Sequence, residues 1–203
     1  MVDSYVGSWL LNQEIAMLLR FVSVTIALLS LTVGSAYANL LNNPGFEVAG
    51  TQGEDARHWK MHDPDDHGDA WGTAIRVDWR AREGRFIGVV RGAWAGLGEY
   101  GGFWQEAEVT PGAMYRATAW FWADGAWRAE TQEMKLEFWN SERTEILGSE
   151  TVALHDIGEI WVQKELEGVA PEGSAWARIV INASGTGDAG ALQVDEVSLI
   201  ALP

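Results

Sequence analysis

Twelve tryptophans occur in this chain of 203 residues, and four of the stretches that carry them alternate in a regular way. Trp104 is followed at every second position by Glu106 and Glu108. Arg116 and Thr118 lead to Trp120 and Trp122, Lys135 and Glu137 precede Trp139, and Trp176 is followed by Arg178, Val180 and Asn182. The intervening positions are core-like: Phe103, Gln105, Ala107 and Val109; Tyr115, Ala117, Ala119 and Phe121; Leu136 and Phe138; Ala175, Ala177, Ile179 and Ile181. Successive side chains of an extended strand point to opposite sides, so turning the aliphatic set inward brings indoles and charges out together. Indole offers a flat apolar face, whereas Glu, Arg and Asn offer directed hydrogen bonds. The combination suits a ring with C–H faces and hydroxyl groups, such as a sugar, held by stacking without covalent chemistry. Trp127 and Arg128, after the turn Asp124-Gly125, extend this surface at its rim, and Trp71 and Trp94 are further loop candidates. Trp59 and Trp161 are assigned to the core. For any one tryptophan, burial beneath a loop or a partner is the commoner fate.

Other chemistry is thinly represented. Cysteine is absent, which excludes disulfides, zinc–thiolate sites and a cysteine nucleophile. His58, His62 and His67 flank the run Asp63-Pro64-Asp65-Asp66, but their spacing would converge only on a helix, which Pro64 opposes. A solvated loop is the expectation there. Paired carboxylates such as Glu106 and Glu137 could flank a glycosidic bond in a small hydrolase or lyase, although carboxylates are common in a chain of net charge −15. That charge repels phosphate backbones and argues against nucleic-acid binding.

The elements that must carry these residues are strands. After Asn39 no stretch sustains a helical period. Two-residue alternation recurs at Thr73–Trp79, Arg85–Val90, Gly102–Val109, Met114–Ala123, Lys135–Trp139, Thr151–Leu154, Ile160–Leu166, Ala175–Ala183 and Leu192–Ala201, bounded by Gly, Asp, Asn and Pro. The spacing predicts an all-β, antiparallel β-sandwich (jelly roll) in a single domain.

Ahead of it, Phe21–Val33 is an uncharged, mostly apolar run, preceded by Arg20 and followed by Gly34-Ser35-Ala36-Tyr37-Ala38. This order of features predicts an export signal cleaved after Ala38. The acidic first 16 residues fit a signal poorly, so Met17 is the expected start. Residues 1–38 are thus read as extension plus signal, and residues 39–203 as the mature domain, secreted or periplasmic and without a stable membrane span.

Within that domain, several motifs fall in a familiar order. They are Asn39-Leu40-Leu41-Asn42-Asn43-Pro44-Gly45-Phe46-Glu47, Arg82-Glu83-Gly84-Arg85-Phe86, Gln105 ahead of Pro111-Gly112-Ala113-Met114-Tyr115, Trp161, and Val194-Asp195-Glu196-Val197-Ser198-Leu199. The set resembles the galactose-binding-like jelly-roll carbohydrate-binding modules typified by families 4, 9 and 22. The resemblance implies a first strand at Asn39–Glu47. It also implies a structural calcium ligated by Glu47 and Asp195, with carbonyls near Arg82–Arg85. Alternation places Asp195 on one face with Val197 and Leu199, pointing inward, where a bare charge needs a partner; calcium, a turn cap or an arginine would each serve. The expected function is non-catalytic binding of a polysaccharide or glycan on a tryptophan-rich sheet face. The expected ligand set is Trp104, Arg116, Trp120, Trp122, Trp127, Glu137, Trp139, Trp176 and Arg178. The alternatives are an extracellular structural or adhesion protein using that face for a protein partner or homo-oligomer, and a small jelly-roll hydrolase or lyase.

Overall fold

The computed structural model describes residues 37–51, 56–61, 74–91 and 100–203. The expected export signal and the Met17 start lie outside these residues, as do His62, His67, Trp71 and Trp94. Ten strands are described: β1 (Lys60–Met61), β2 (Ala74–Val77), β3 (Ile87–Arg91), β4 (Tyr100–Glu108), β5 (Met114–Ala123), β6 (Thr131–Trp139), β7 (Ile146–Ala153), β8 (Val162–Val169), β9 (Trp176–Ser184) and β10 (Ala191–Ala201). They form two antiparallel five-stranded sheets, β1-β4-β9-β6-β7 and β2-β3-β10-β5-β8. The molecule is the expected β-sandwich. Two strands start earlier than alternation suggested, β6 at Thr131 and β7 at Ile146, because pairing with β9 carries β6 into the polar Thr131–Glu133 and pairing with β6 carries β7 back across Gly148. Among the described residues no helix is long and apolar enough to cross a membrane.

The inward faces are the ones alternation selects. Tyr115, Ala117, Ala119 and Phe121 of β5 meet Leu136 and Phe138 of β6 and Ala177, Ile179 and Ile181 of β9 in one buried cluster. At one end Phe46 stacks on Trp59 with centroids 4.8 Å apart, and Phe103 meets both rings edge-on at 5.4 and 5.6 Å. Gly88 of β3 faces these rings, and a Cβ there would lie 2.8 Å from both Phe46 and Phe103.

The segment Asn39–Glu47 departs from expectation. It contains no strand, and both Asn43 and Phe46 have positive φ, 50° and 59°, which breaks a β ladder. Two main-chain bonds to β10 remain, Leu40 N to Leu199 O at 2.8 Å and Val197 N to Pro44 O at 3.1 Å, and side-chain amides supplement them. Asn39 Nδ2 donates to Val197 O at 3.0 Å and its Oδ1 accepts from Leu199 N at 3.0 Å. Gln105 bonds both backbone polar groups of Asn42, at 2.6 and 2.8 Å, which explains a buried glutamine on a core face.

Asp195 is a second correction. It is fully buried, but not between the sheets. A register shift lies between Asp195 and Ser198, and Glu196 has φ of 48°. Leu192, Val194, Val197 and Leu199 therefore all reach the core, and Asp195 is turned to the outer side of the second sheet. A β-bulge of this kind inserts one residue and resets the alternation, which a strict period of two cannot anticipate.

Because the rings of Phe46, Trp59 and Phe103 close this end of the sandwich, Phe46→Ala is expected to cost about 3–5 kcal/mol, measurable by urea unfolding. Asn43→Ala should cost less, since the amide it removes pins a mostly exposed turn.

Candidate functional site

The pairing of β9 with β4 and β6 decides what stands together on the outer face of the first sheet. Arg178 is opposite Glu106 on one side and Glu137 on the other, Val180 is opposite Trp104, and Trp176 is opposite Trp139. Five expected ligand residues (Trp104, Glu137, Trp139, Trp176 and Arg178) are thereby brought onto one face.

Arg178 is at its centre. Its Cζ lies 3.7 Å from the centroid of Trp104 and 4.3 Å from that of Trp139. Its Nη2 donates to Glu106 Oε2 at 3.0 Å. The other oxygen of Glu106 accepts from Arg143 Nε at 2.7 Å, and the Arg143 guanidinium lies 3.6 Å from the Trp176 centroid. Trp139 Nε1 donates to Glu137 Oε2 at 3.0 Å, and Lys60 stands 4.4 Å from the Trp104 centroid. Each indole thus has an electrostatic partner that fixes its place, and cation–π contacts of this kind contribute about 0.5–2 kcal/mol apiece, more as water is excluded.

Arg143 and Lys60 were not legible as site residues. Arg143 reaches the face from the β6–β7 turn, held by Asn140, whose Oδ1 accepts from Thr144 N at 2.9 Å and Glu145 N at 3.3 Å. Its φ of 59° belongs to that turn. Asn140 was the available signal, marking a turn without revealing its direction. Lys60 belongs to a strand of two residues, too short for periodicity to register.

Other expected ligands stand elsewhere. Trp120, Trp122 and Arg116 are on β5, which belongs to the second sheet, so the expected single surface is divided between the two outer sides of the sandwich. Period two assigns a residue to the non-core side of its strand, while sheet membership depends on long-range pairing. On the second sheet the segment 78–86 lies over the tryptophans. Arg80 stacks on Trp122 at 4.4 Å and Arg82 on Trp120 at 3.8 Å, and Arg82 also pairs with Glu196. Beneath lies a small apolar cluster of Val77, Ile87, Val89 and Ala191, with Ala81 and Trp161 against it, and Trp122 is only 5% exposed. Arg116 is engaged by Glu167 at 2.7 Å. Trp127 is a third correction: it is buried in the main core, with Nε1 donating to Gln132 Oε1, so it does not line a rim. Trp59 is in the core as expected.

The Glu106–Glu137 pair sits two strands apart, about 10 Å between Cα atoms from inter-strand spacing, with Arg178 between. Burial raises the Glu106 pKa, but hydrogen bonds from Arg178 and Arg143 outweigh it, and the net shift is downward. A general acid requires the opposite shift.

Glu47 and Asp195 meet at the loop Arg82–Phe86. Asp195 Oδ2 accepts from Arg82 N and Glu83 N at 2.9 and 3.0 Å, and its Oδ1 accepts from Glu196 N at 2.8 Å. Glu47 Oε1 accepts from Arg85 N and Phe86 N at 2.8 and 3.0 Å. Amide donors of this loop, not its carbonyls, thus face the two carboxylates. Burial, against these bonds and reinforced by the charge of Glu47, pushes the Asp195 pKa up to about 6. Two hard-oxygen groups meeting at one loop match a divalent cation in donor type, although amides already occupy both Asp195 oxygens and Glu47 Oε1. Among the described residues no cluster of three or more acidic or histidine side chains is formed, so further ligands would come from the backbone or water.

Glu106 provides a pH test. Its folded-state pKa lies below its unfolded value, so it stabilises the fold at neutral pH, and that stability is lost as pH falls from the ordinary carboxylate range through the lowered value. Thermal melts of wild type should fall over that acidic range, with a shallower slope in Glu106→Gln. At neutral pH the variant should lose about 1–3 kcal/mol, because Arg178 and Arg143 lose an ionised partner.

No protein-family model matches this sequence, and no curated protein does. Solved structures do. The enzymatically active domain of bacteriophage CBA120 tailspike protein 4 superposes with a TM-score of 0.59 at 14% identity, over 81% of this chain. The match takes in only 21% of the tailspike chain, about a fifth of its length. TmCBM61, solved in complex with β-1,4-galactotriose, gives 0.53 at 17% identity over 81% of this chain and 99% of its own. A cyclase from Fischerella sp. TAU gives 0.55 at 15% identity over 83% and 98%. The fold of this chain is that of the jelly-roll carbohydrate-binding modules.

Proposed function

We propose that this protein is a secreted, non-catalytic carbohydrate-binding protein. In this reading the glycan site is the outer face of β4, β9 and β6, and a calcium ion at Glu47 and Asp195 stiffens the fold. The observation that carries the reading is Arg178 held against Trp104 and Trp139 on a sheet face, with Arg143 on Trp176 beside it. Flat apolar rings beside fixed donors and acceptors are what a pyranose needs on its C–H face and its hydroxyls. The jelly-roll likeness to TmCBM61 supports it. Charge supports it too: Lys60, Lys135, Arg143 and Arg178 are offset by Glu106, Glu108, Glu133 and Glu137, so an acidic chain carries a nearly neutral face, suited to an uncharged polysaccharide. The lowered Glu106 pKa weighs against Glu106 as the general acid of a hydrolase. Export is the compartment in which such a protein would meet its ligand.

Calorimetric titration with soluble neutral polysaccharides, β-1,4-galactan among them, tests the reading. Trp139→Ala and Trp104→Ala should each lose about 2 kcal/mol of binding, roughly thirtyfold, and Trp120→Ala should bind as wild type. A wild-type protein that ignores every polysaccharide but changes mass with concentration would favour a protein interface instead. For the metal, calcium should raise the melting temperature of chelator-treated protein. Gly84→Ala should abolish that rise, because Gly84 has φ of 63° and a Cβ there would fall on Glu47 Oε1.

A further inference from the structure

Among the described residues, the cationic side chains on the outer face of the first sheet are not equally placed to meet a ligand. Arg178 is enclosed between Trp104 and Trp139, and its side chain is only 14% exposed. Lys135 is paired with Glu133 at 2.7 Å, and Lys60, over Trp104, offers a single ammonium. Arg143 differs. Its side chain is 38% exposed, its Nε donates to Glu106 at 2.7 Å, and its Cζ lies 3.6 Å from the Trp176 centroid. No hydrogen bond to a described residue engages either Nη nitrogen, so an anchored guanidinium keeps donors turned to water. The backbone beneath it is strained, with φ of 59°, a region that glycine and asparagine enter most easily. Asn140 fixes the turn, its Nδ2 donating to Thr144 Oγ1 at 3.0 Å and its carbonyl accepting from Arg143 N at 3.1 Å. A strained arginine where glycine would fit points to the use of its side chain.

We propose that Arg143 reads glycan linkage: the open edge of its guanidinium donates two N–H groups to two neighbouring hydroxyl oxygens of a sugar stacked at Trp139. The proposal rests on the carbohydrate-binding reading above and adds a specificity-determining residue to it. Trp139 is the register partner of Trp176, so Arg143, lying over Trp176, stands beside a ring placed there. A guanidinium presents its N–H groups as a planar fork, whereas an ammonium is a point charge. A carboxylate would also match a fork, but Glu106 and Glu137, on either side of Arg178 in the same row, repel an anionic sugar. Inside a β-1,4-linked chain each pyranose keeps free hydroxyls on C2 and C3, which are neighbours. Inside a β-1,3-linked chain the linkage takes C3 and separates the free hydroxyls on C2 and C4. The first chain therefore offers the fork a matched pair at every ring, and the second offers one at its ends alone.

The test is calorimetry of the purified protein with long, linear, neutral β-1,4- and β-1,3-linked polymers, in which chain ends are rare. Wild type should favour the β-1,4 polymers by about tenfold. Arg143→Lys keeps a cation beside Trp176 and Glu106 but lacks the fork, so it should still bind saturably with the preference lost. Arg143→Gly suits the positive φ of the turn and should lose the preference too. The measured quantity is the ratio of the two affinities, which a merely structural loss would lower together and leave unchanged. Equal binding of both linkages by wild type, a preference for β-1,3 polymers, or a tenfold preference kept in both variants overturns the role of Arg143 while leaving the Trp139 site in place. Absence of binding to every polymer by wild type removes the carbohydrate reading itself.

Discussion

The register of β9 between β4 and β6 is the constraint on which the rest of this molecule depends. Ala177, Ile179 and Ile181 are fully buried on one side of that strand, and Trp176, Arg178 and Asn182 emerge on the other. A slip of one residue would exchange the two sets, exposing two isoleucines and driving a guanidinium into the core. The core therefore positions the outer face as strictly as it positions itself. Since β9 is the middle strand of five, it is also the strand least able to shift.

The electrostatics follow from that placement. Arg178 is mostly buried, and an isolated buried guanidinium would be costly. Glu106 offsets the cost on one side and two indole faces lower it further, while Arg143 shares the same carboxylate and carries Trp176 with it. The arrangement holds three tryptophans at fixed orientations ahead of any ligand. Preorganisation of this kind spares a binding surface the entropy of ordering its large side chains at the moment of contact.

Much of this was legible in the sequence, and what escaped has definable causes. Alternation gave the correct inward residues on β4, β5, β6 and β9, because side-chain direction is a local property of an extended chain. It could not separate Trp120 and Trp122 from Trp104, Trp139 and Trp176, since sheet membership is settled by pairings between distant segments. Asp195 was recognised as a buried charge in need of partners, yet the bulge at Glu196 reversed its direction. Trp127 followed a turn and so had no period to read; its burial depends on Gln132, five residues away. The side-chain amide bonds that help hold Asn39–Glu47 were hidden for a similar reason, since Gln105 is 63 positions distant from Asn42.

The segment 78–86 has an optical consequence. It links the carboxylates of Asp195 and Glu47, through its amides, to the indoles of Trp120 and Trp122, through Arg82 and Arg80. Trp79, at its start, is half exposed, whereas Trp122 is almost sealed. The intrinsic emission of this protein is therefore a sum of separate reporters. A water-borne quencher reaches Trp79 well before Trp122, the indoles under Arg80 and Arg82 register the packing of this loop, and those around Arg178 register the opposite sheet.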